Sequence, residues 1–312
     1  MKKLNAIPVF LLIISVGFLI ETADAQRADQ AYLIRTIDVS NPDLLDIRTS
    51  GGFVQVKGSD RDDVRVEMYV RRGGRYLDDT DTSLDGYEIE IEQIGNKVKA
   101  HANRESGGTW RFWRSDSNVS ISFIVYSPGV TGVDARTSGG HISAENFEGH
   151  IQMRTSGGNI SLKDLKGEID ARTSGGGISI ENIEGKLDAR TSGGTITASK
   201  SNGTLDLRTS GGSIRLDEIG GTITARTSGG SIHTKMFQVG DHVELRTSGG
   251  SITIAIPEGN GYELDLQGSR VHTELRNFSG EVERNKVKGV INDGGPVIRA
   301  RTSGGSVRIN YI

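Results

Sequence analysis

Short runs in which apolar and polar residues alternate cover most of the chain, and they recur at a fixed distance. From Arg136 to Arg226 the motif Arg-Thr-Ser-Gly-Gly repeats every 18 residues, and further copies begin at Arg48, Arg246 and Arg301. Numbered from the arginine, position 7 is isoleucine in the units that begin at Arg136 to Arg246. In the regular units from Arg136 to Arg208, position 16 is Ile or Leu and position 18 is Ala, Leu or Met. Alternation with a period of two over a few residues is typical of strands and not of helices.

The fixed period predicts an all-β fold, a parallel β-solenoid (β-helix) in which each 18-residue unit is one turn, or rung. One rung alone cannot bury enough side chains to offset the entropy of ordering its backbone, so rungs must stack. Like positions then lie about 4.8 Å apart in columns. A flattened coil with two sides is favoured, because a three-sided coil would show a clean hexapeptide pattern. We expect the Ser-Gly-Gly and position-14 glycines to adopt positive φ in the turns.

The first 25 residues predict a secretory signal peptide. Lys2 and Lys3 precede the apolar stretch Ile7–Ile20, and Ala23-Asp24-Ala25 has the small-x-small pattern of a cleavage site, so the mature chain would begin at Gln26. The alternative is an uncleaved membrane anchor. That stretch is 14 residues long, whereas a helix that spans a bilayer needs about 20. Export followed by cleavage is therefore expected.

The rest of the chain divides into three predicted parts. Residues 26–132 contain one copy of the repeat and several other alternating segments, which indicates an N-terminal β cap with the first rungs. Residues 133–256 form the regular solenoid, and residues 257–312 form degenerate C-terminal rungs. A cap is needed because an open solenoid end exposes an unpaired strand edge. The ending VRINYI could be a last strand or a docking edge.

The repeat predicts a column of arginines on the surface, since position 1 points outward if positions 16 and 18 point inward. Position 17, on the same face, is acidic in five of the seven units between Asp134 and Glu244, which would offset the repulsion between arginines. The column can be interpreted as a device that sets strand register. It can also be interpreted as a grip for a repetitive polyanion such as an acidic polysaccharide. The predicted column consists of Arg136, Arg154, Arg172, Arg190, Arg208, Arg226 and Arg246.

Two other features of the sequence are candidate ligand sites. The segment GGTWRFWR, residues 107–114, contains Trp110, Phe112 and Trp113 between basic residues. These rings either plug the end of the solenoid or form an exposed platform for a sugar or a partner protein. A threonine ladder could bind ice, but this would require a flat Thr-x-Thr face, and only one threonine recurs reliably in the unit.

Composition excludes several classes of function. The chain has no cysteine, so disulfides are impossible, and its formal net charge of −3 gives no reason to expect nucleic-acid binding. It has no metal-ligand spacing, phosphate loop or nucleophile motif, and its six histidines are scattered. Catalysis needs unique, tuned groups, and a uniform ladder offers none. We therefore expect no enzyme activity, no metal and no cofactor.

The stretch SGGFVQVKGSDRDDVRVE, the T-S-G-G-x-I rungs and the ending RTSGGSVRINYI resemble the bacterial "putative adhesin" domain family of unknown function. The resemblance covers about residues 30–312. It implies a β-solenoid in the periplasm, at the cell surface or outside the cell, and it implies no catalytic residues.

Taken together, these features lead us to expect an exported, non-enzymatic, adhesin-like or structural protein of the cell envelope. Its partners would be a polysaccharide or a cell-surface protein, with no nucleic acid and no insertion into the membrane after signal cleavage. The alternatives are binding of an anionic polysaccharide through the arginine column, and self-assembly of solenoids end to end.

Overall fold

The computed structural model describes residues 31–78, 84, 86–104, 119–274 and 276–312. In these residues 22 strands, and no helix, are joined by hydrogen bonds into one continuous sheet. The prediction of an all-β solenoid is confirmed, whereas the predicted signal peptide, residues 1–25, lies outside the described residues. The strands, in chain order, are β1 (Leu33–Ile37), β2 (Leu44–Thr49), β3 (Val54–Gly58), β4 (Val64–Arg72), β5 (Arg75–Leu77), β6 (Tyr87–Ile94), β7 (Lys97–Arg104), β8 (Val119–Ser127), β9 (Gly132–Thr137), β10 (Ile142–Arg154), β11 (Ile160–Arg172), β12 (Ile178–Arg190), β13 (Ile196–Arg208), β14 (Ile214–Arg226), β15 (Ile232–Thr247), β16 (Ile252–Ile256), β17 (Tyr262–Gln267), β18 (Arg270–Thr273), β19 (Phe278–Val282), β20 (Lys286–Ile291), β21 (Val297–Thr302) and β22 (Ser306–Tyr311).

The central strands β10 to β15 pair in parallel, each with the next, and from β10 to β14 each paired residue faces the same position of the neighbouring rung. Ile160 lies opposite Ile178, and Arg172 lies opposite Arg190. Each 18-residue unit is therefore one rung, and identical side chains form columns. The 20-residue unit that begins at Arg226 keeps this pairing through irregularities in the register of β14 and β15.

Burial within a rung shows how the coil is shaped. In the unit that begins at Arg154, buried residues alternate at positions 7 and 9 and again at positions 16, 18 and 2, with one buried residue at position 12 between them. The alternation breaks at position 11, where Asp164 has φ of 51°, and at position 14, where Gly167 has φ of 112°. Each rung thus has two long sides, joined by the Ser-Gly-Gly turn at one end and by a short segment between two left-handed residues at the other.

The glycines of the Ser-Gly-Gly turn correct one sequence prediction. Positive φ is found at position 14, as expected, but not at the Ser-Gly-Gly glycines of the regular rungs. The second of these glycines is required for another reason. A Cβ atom added at Gly176 would lie 2.0 Å from the carbonyl oxygen of Gly158 in the preceding rung. The backbones of successive turns therefore stack too closely there for any side chain.

Both ends of the solenoid contain a rung that is inserted out of sequence order. Near the N-terminus, β2 lies between β7 and β9, and β3 lies between β8 and β10. Near the C-terminus, β21 lies between β15 and β17, and β22 lies between β16 and β18. The chain's last strand, β22, is thus paired on both sides, and the ending VRINYI is an internal strand and not a free docking edge.

Antiparallel strands cover both ends of this stack. At the N-terminal end β6 pairs with β7, while β4 pairs with β8 and with β1. At the C-terminal end β20 pairs with β17, and β19 pairs with β20. These strands occupy edges that would otherwise be open to other chains. The sheet runs without interruption across the predicted domain boundaries, which stay predictions.

Candidate functional site: the arginine edge

All nine copies of the Arg-Thr-Ser-Gly-Gly motif lie in one column along an edge of the coil. The inserted rungs place Arg48 directly opposite Arg136, and Arg301 directly opposite Arg246. These pairs are 88 and 55 residues apart in the sequence, so the excursions of the chain leave no gap in the column. We call this set the arginine column: Arg48, Arg136, Arg154, Arg172, Arg190, Arg208, Arg226, Arg246 and Arg301.

The structure therefore brings together all seven arginines that the sequence predicted and adds one at each end. The signal for the two additional members was present, since both carry the complete motif. Their membership could not be predicted from spacing, because they lie outside the 18-residue period. The aromatic residues Trp110, Phe112 and Trp113 fall within residues 105–118, outside the described residues.

Carboxylates two residues earlier on the same strands form a parallel acid column. Arg136 pairs with Asp134 at 2.7 Å, and Arg208 pairs with Asp206 at 2.7 Å. The hydrogen bonds that Arg136 donates to Asp134 raise the pKa of Arg136, although its partial burial acts to lower that pKa. Since the arginine side chains are 39–47 % exposed, each pair contributes at most about 1 kcal/mol. Their combined effect is to cancel the repulsion between arginines stacked on neighbouring rungs.

The acid column is incomplete at three rungs. Gln152 and Thr224 replace the acid two residues before Arg154 and Arg226, and Arg299 occupies the same position before Arg301. Near the C-terminal end each remaining carboxylate is shared by two arginines. The residue at position 17 thus differs between rungs, whereas position 1 is arginine in every copy of the motif.

Two shared carboxylates compensate in part for the missing acids. Glu244 lies 2.7 Å from Arg246 and 3.2 Å from Arg226. Asp265 lies 2.8 Å from Arg301 and 3.1 Å from Arg299. Burial acts to raise the pKa of Asp265, but the hydrogen bonds from Arg301 and Arg299 outweigh it and the pKa is lowered.

The threonines at position 2 point into the coil and hold successive rungs together. Thr191 Oγ1 donates to the carbonyl of Gly176 in the preceding rung at 2.7 Å and accepts from the amide of Gly194 in its own rung at 3.3 Å. The same pair of bonds recurs at Thr173 and Thr209. With their side chains buried and their hydroxyls engaged, these threonines do not form the exposed face that ice binding would need.

Two shallow grooves follow the arginine column. Each is lined mainly by the arginine, threonine and serine at positions 1, 2 and 3 of successive rungs. The first groove, of about 480 Å³, extends over four rungs from Arg154 to Ser210. The second, of about 560 Å³, extends from Arg226 to Ser303 and includes Gln267, Gly268 and Ser269 of the neighbouring rung. We call these the central groove and the C-terminal groove.

The part of the chain that the structure describes contains neither a metal-binding cluster nor a spanning helix. There, no three His, Asp or Glu side chains come together in a group that could hold a metal ion. The same residues include no helix with the length and apolar character needed to cross a membrane. The grooves along the arginine column, lined by guanidinium groups on successive rungs, are the candidate site.

Solved structures with a similar chain path include proteins from Parabacteroides distasonis and Bacteroides fragilis. A "putative lipid binding protein" from Parabacteroides distasonis is 17% identical with a TM-score of 0.47, over 90% of this chain and 96% of that chain. A "putative adhesin" from Bacteroides fragilis is 12% identical with a TM-score of 0.35, over 90% and 96%. Another "putative adhesin" from Parabacteroides distasonis is 14% identical with a TM-score of 0.33, over 89% and 96%. No curated protein matches the sequence.

Family membership follows from the sequence itself. The family described as Toastrack DUF4097 matches residues 43–310, which span the inserted N-terminal rung, the regular coil and the inserted C-terminal rung. The match confirms the resemblance seen in the T-S-G-G-x-I rungs. With this extent of agreement, the chain belongs to the Toastrack DUF4097 family.

Proposed function

We propose that the chain is an exported, non-enzymatic, adhesin-like module of the cell envelope that presents its regular edge to a polysaccharide or a cell-surface protein. The observation that carries the proposal is the unbroken column of nine identical motifs. The cap segments separate the first and last copies of the motif from the others in the sequence, but the inserted rungs place all the copies in one continuous column. A column of this kind offers the same chemical group at each rung, about every 4.8 Å, which suits a partner that is itself repetitive.

The rigidity of the coil supports this role. Backbone hydrogen bonds join every rung to the next along both long sides and at the Ser-Gly-Gly turn, where the amide of Gly193 donates to the carbonyl of Ser174 at 2.9 Å. The spacing of the arginines is thus set by the backbone and not by flexible loops. A surface of this kind needs no rearrangement to meet its partner.

Export and surface binding can be tested directly. The full chain, carrying a C-terminal epitope tag, is expected in the envelope fraction or the medium, and purified protein is expected to bind whole cells or isolated envelopes saturably. A tagged chain that stays in the cytoplasm would contradict export. Purified protein that binds envelopes no better than an unrelated protein of similar charge would contradict the adhesin-like role.

A second candidate function is binding of an anionic polysaccharide through the arginine column, and the grooves favour it. Both grooves are lined by guanidinium groups, which recognise carboxylate and sulfate oxygens through paired N–H donors. We expect the purified chain to be retained on an immobilised sulfated polysaccharide and to elute as salt rises, since exposed charges are screened. Elution in the void volume at low salt would exclude this candidate.

A further inference from the structure

The C-terminal groove differs from the rest of the arginine column in its balance of charge. Along the central rungs each arginine except Arg154 has its own acid, as in Arg190 with Asp188. Around the C-terminal groove, four arginines share the two carboxylates of Glu244 and Asp265. This is an excess of two positive charges within four neighbouring rungs, a span of about 15 Å at the spacing of strands.

The cause of the excess is the identity of position 17. Thr224 has no charge, and Arg299 reverses the charge that the other rungs carry there. The central groove lacks only one acid, at Gln152. Asp206 of the adjoining rung lies opposite Thr224 but pairs with Arg208 at 2.7 Å. On the rungs of the groove itself the next outward acid is Glu263, which lies four residues before Gln267 on the same strand, about 13 Å away. It is too distant to pair with the groove arginines.

The arginines of the C-terminal groove keep donors for a ligand. Arg226, Arg246 and Arg301 have side chains that are 42 %, 47 % and 46 % exposed. Arg226 and Arg301 contact their carboxylates through Nη2, and Arg246 makes its close contact through Nε. Because a guanidinium has five N–H donors, a carboxylate shared between two arginines cannot saturate them. The three guanidinium groups line one wall of the groove in consecutive rungs.

The groove also has a defined end. In the rung beyond Arg301, Gln267, Gly268 and Ser269 occupy the places of Arg, Thr and Ser. Gln267 therefore brings a neutral amide to the end of the arginine column, and Gly268 brings no side chain. A chain of sugars that lies along the grooves would meet three closely spaced cations there, next to a polar and sterically open end.

We propose that the C-terminal groove is the anion-binding site of the arginine column, and that Arg226, Arg246 and Arg301 bind a sulfate or carboxylate group of an extracellular polysaccharide. This inference rests on the second candidate function above, and it places binding at one end of the column instead of along its whole length. The remaining arginines, which are matched by acids except at Arg154, then serve mainly to set strand register.

The test adds acids without removing any groove arginine. In the full chain, Thr224→Asp combined with Arg299→Asp restores the acid column at the C-terminal groove. Titration calorimetry with heparin, which is sulfated, and with polygalacturonate, which is carboxylated, is expected to show binding about tenfold weaker than that of the unchanged chain. The two polymers show whether the site takes sulfate, carboxylate or both.

Gln152→Asp is the matched control for the single variant Thr224→Asp, because each replaces a neutral residue by Asp at position 17 of its groove, whereas the double variant also reverses the charge of Arg299. The affinity of the Gln152→Asp chain is expected to stay within about twofold of the unchanged chain. Equal weakening by Gln152→Asp and by Thr224→Asp would overturn the placement while leaving the anionic-polysaccharide candidate intact. Absence of binding by the unchanged chain would overturn that candidate itself. Melting temperatures within a few degrees of the unchanged chain show that all of these variants are folded.

Discussion

At the scale of single residues, each member of the Arg-Thr-Ser-Gly-Gly motif has its own task. The arginine faces solvent and pairs with an acid, as Arg172 does with Asp170 at 2.6 Å. The threonine bonds two rungs together from inside the coil. The second glycine allows the backbones to approach, and the first stands slightly farther away. The motif is uniform because the contacts between rungs are identical at every step.

Substitution by alanine is expected to affect stability very differently at the two glycines of one Ser-Gly-Gly turn. Gly176→Ala places a Cβ atom 2.0 Å from the carbonyl of Gly158, whereas Gly175→Ala places one 3.5 Å from the carbonyl of Gly157. We expect Gly176→Ala to lower the free energy of unfolding by about 1–3 kcal/mol or more, as overpacking does, and Gly175→Ala to change it by about 0.5 kcal/mol or less. Urea denaturation of both variants measures this, and equal effects would refute the close-approach explanation.

Stability at low pH is expected to depend on Asp265. Its pKa is lowered in the folded protein because the hydrogen bonds from Arg301 and Arg299 outweigh its burial. A carboxyl with a lowered folded pKa contributes stability above its unfolded pKa, about 3.9, and loses it as the pH falls through the folded value. The melting temperature should therefore decrease below about pH 4.

The variant Asp265→Asn should be less stable at neutral pH and should show a shallower decrease below about pH 4 than the unchanged chain. Asp60→Asn, at an exposed position, serves as the control and should follow the unchanged chain. Thermal melting by circular dichroism between pH 2 and pH 7 measures both curves. Identical slopes for Asp265→Asn and the unchanged chain would contradict the assigned role.

At the scale of elements, the central strands bend at a position that sequence patterns did not reveal. Position 11 is left-handed in five successive rungs, with φ between 50° and 62°, although none of these residues is glycine. Asn and Asp tolerate this conformation better than other side chains, and Asn146, Asp164 and Asn182 fit that preference. Lys200 and Glu218 do not. The bend is therefore imposed by neighbouring rungs, whose register each strand must follow.

Glu218 offers a test of that strain. Glu218→Asn replaces a residue that disfavours the left-handed region with one that tolerates it, so we expect a gain of about 0.5–1 kcal/mol in the free energy of unfolding. Glu148→Asn, at an exposed position with ordinary φ two residues past the bend of its own rung, should bring no gain. Denaturant titrations compare the two, and a loss of stability in Glu218→Asn would show that its φ is not a source of strain.

At the scale of the whole molecule, the inserted rungs join distant parts of the chain. The segment 297–311 completes the coil between strands whose paired residues precede it by 55 residues on one side and by 34 to 36 residues on the other. Its backbone is hydrogen-bonded on both sides, so its removal would expose two parallel edges at once. The inserted rung near the N-terminus has the same relation to its neighbours. Both ends are thus closed by long-range pairing and not by a local hairpin alone.

Removal of the inserted C-terminal rung is expected to disrupt the end of the solenoid. A chain that ends at Pro296 leaves β15, β16, β17 and β18 without their shared partners, and open parallel edges promote aggregation. A chain that lacks only the exposed Ile312 should remain monomeric and close to native stability. Size-exclusion chromatography with light scattering and thermal melting test this. A monomeric, cooperatively melting chain that ends at Pro296 would contradict it.

The sequence by itself determined the rung, its strands and the columns. An exact 18-residue period with isoleucine at position 7 allows one register between neighbours, and a slip of one residue would turn every inward side chain to solvent. The outward arginines and the acids beside them followed from the same alternation. These features are local or periodic, so they can be predicted without knowing which distant strands the inserted rungs pair with.

Only the tertiary structure decided how the nine motifs meet and where the charges are left in excess. Two segments separate the inserted rungs from the regular coil, one after Arg48 and one before Arg301. They pair largely in antiparallel fashion and have no repeat period. The sequence around them therefore does not indicate which rung the chain rejoins. The sharing of Asp265 by Arg299 and Arg301 depends on that return. The need for glycine at the close approach, and the bend at position 11, likewise arise from contact between rungs, because a single turn has no neighbour to impose them.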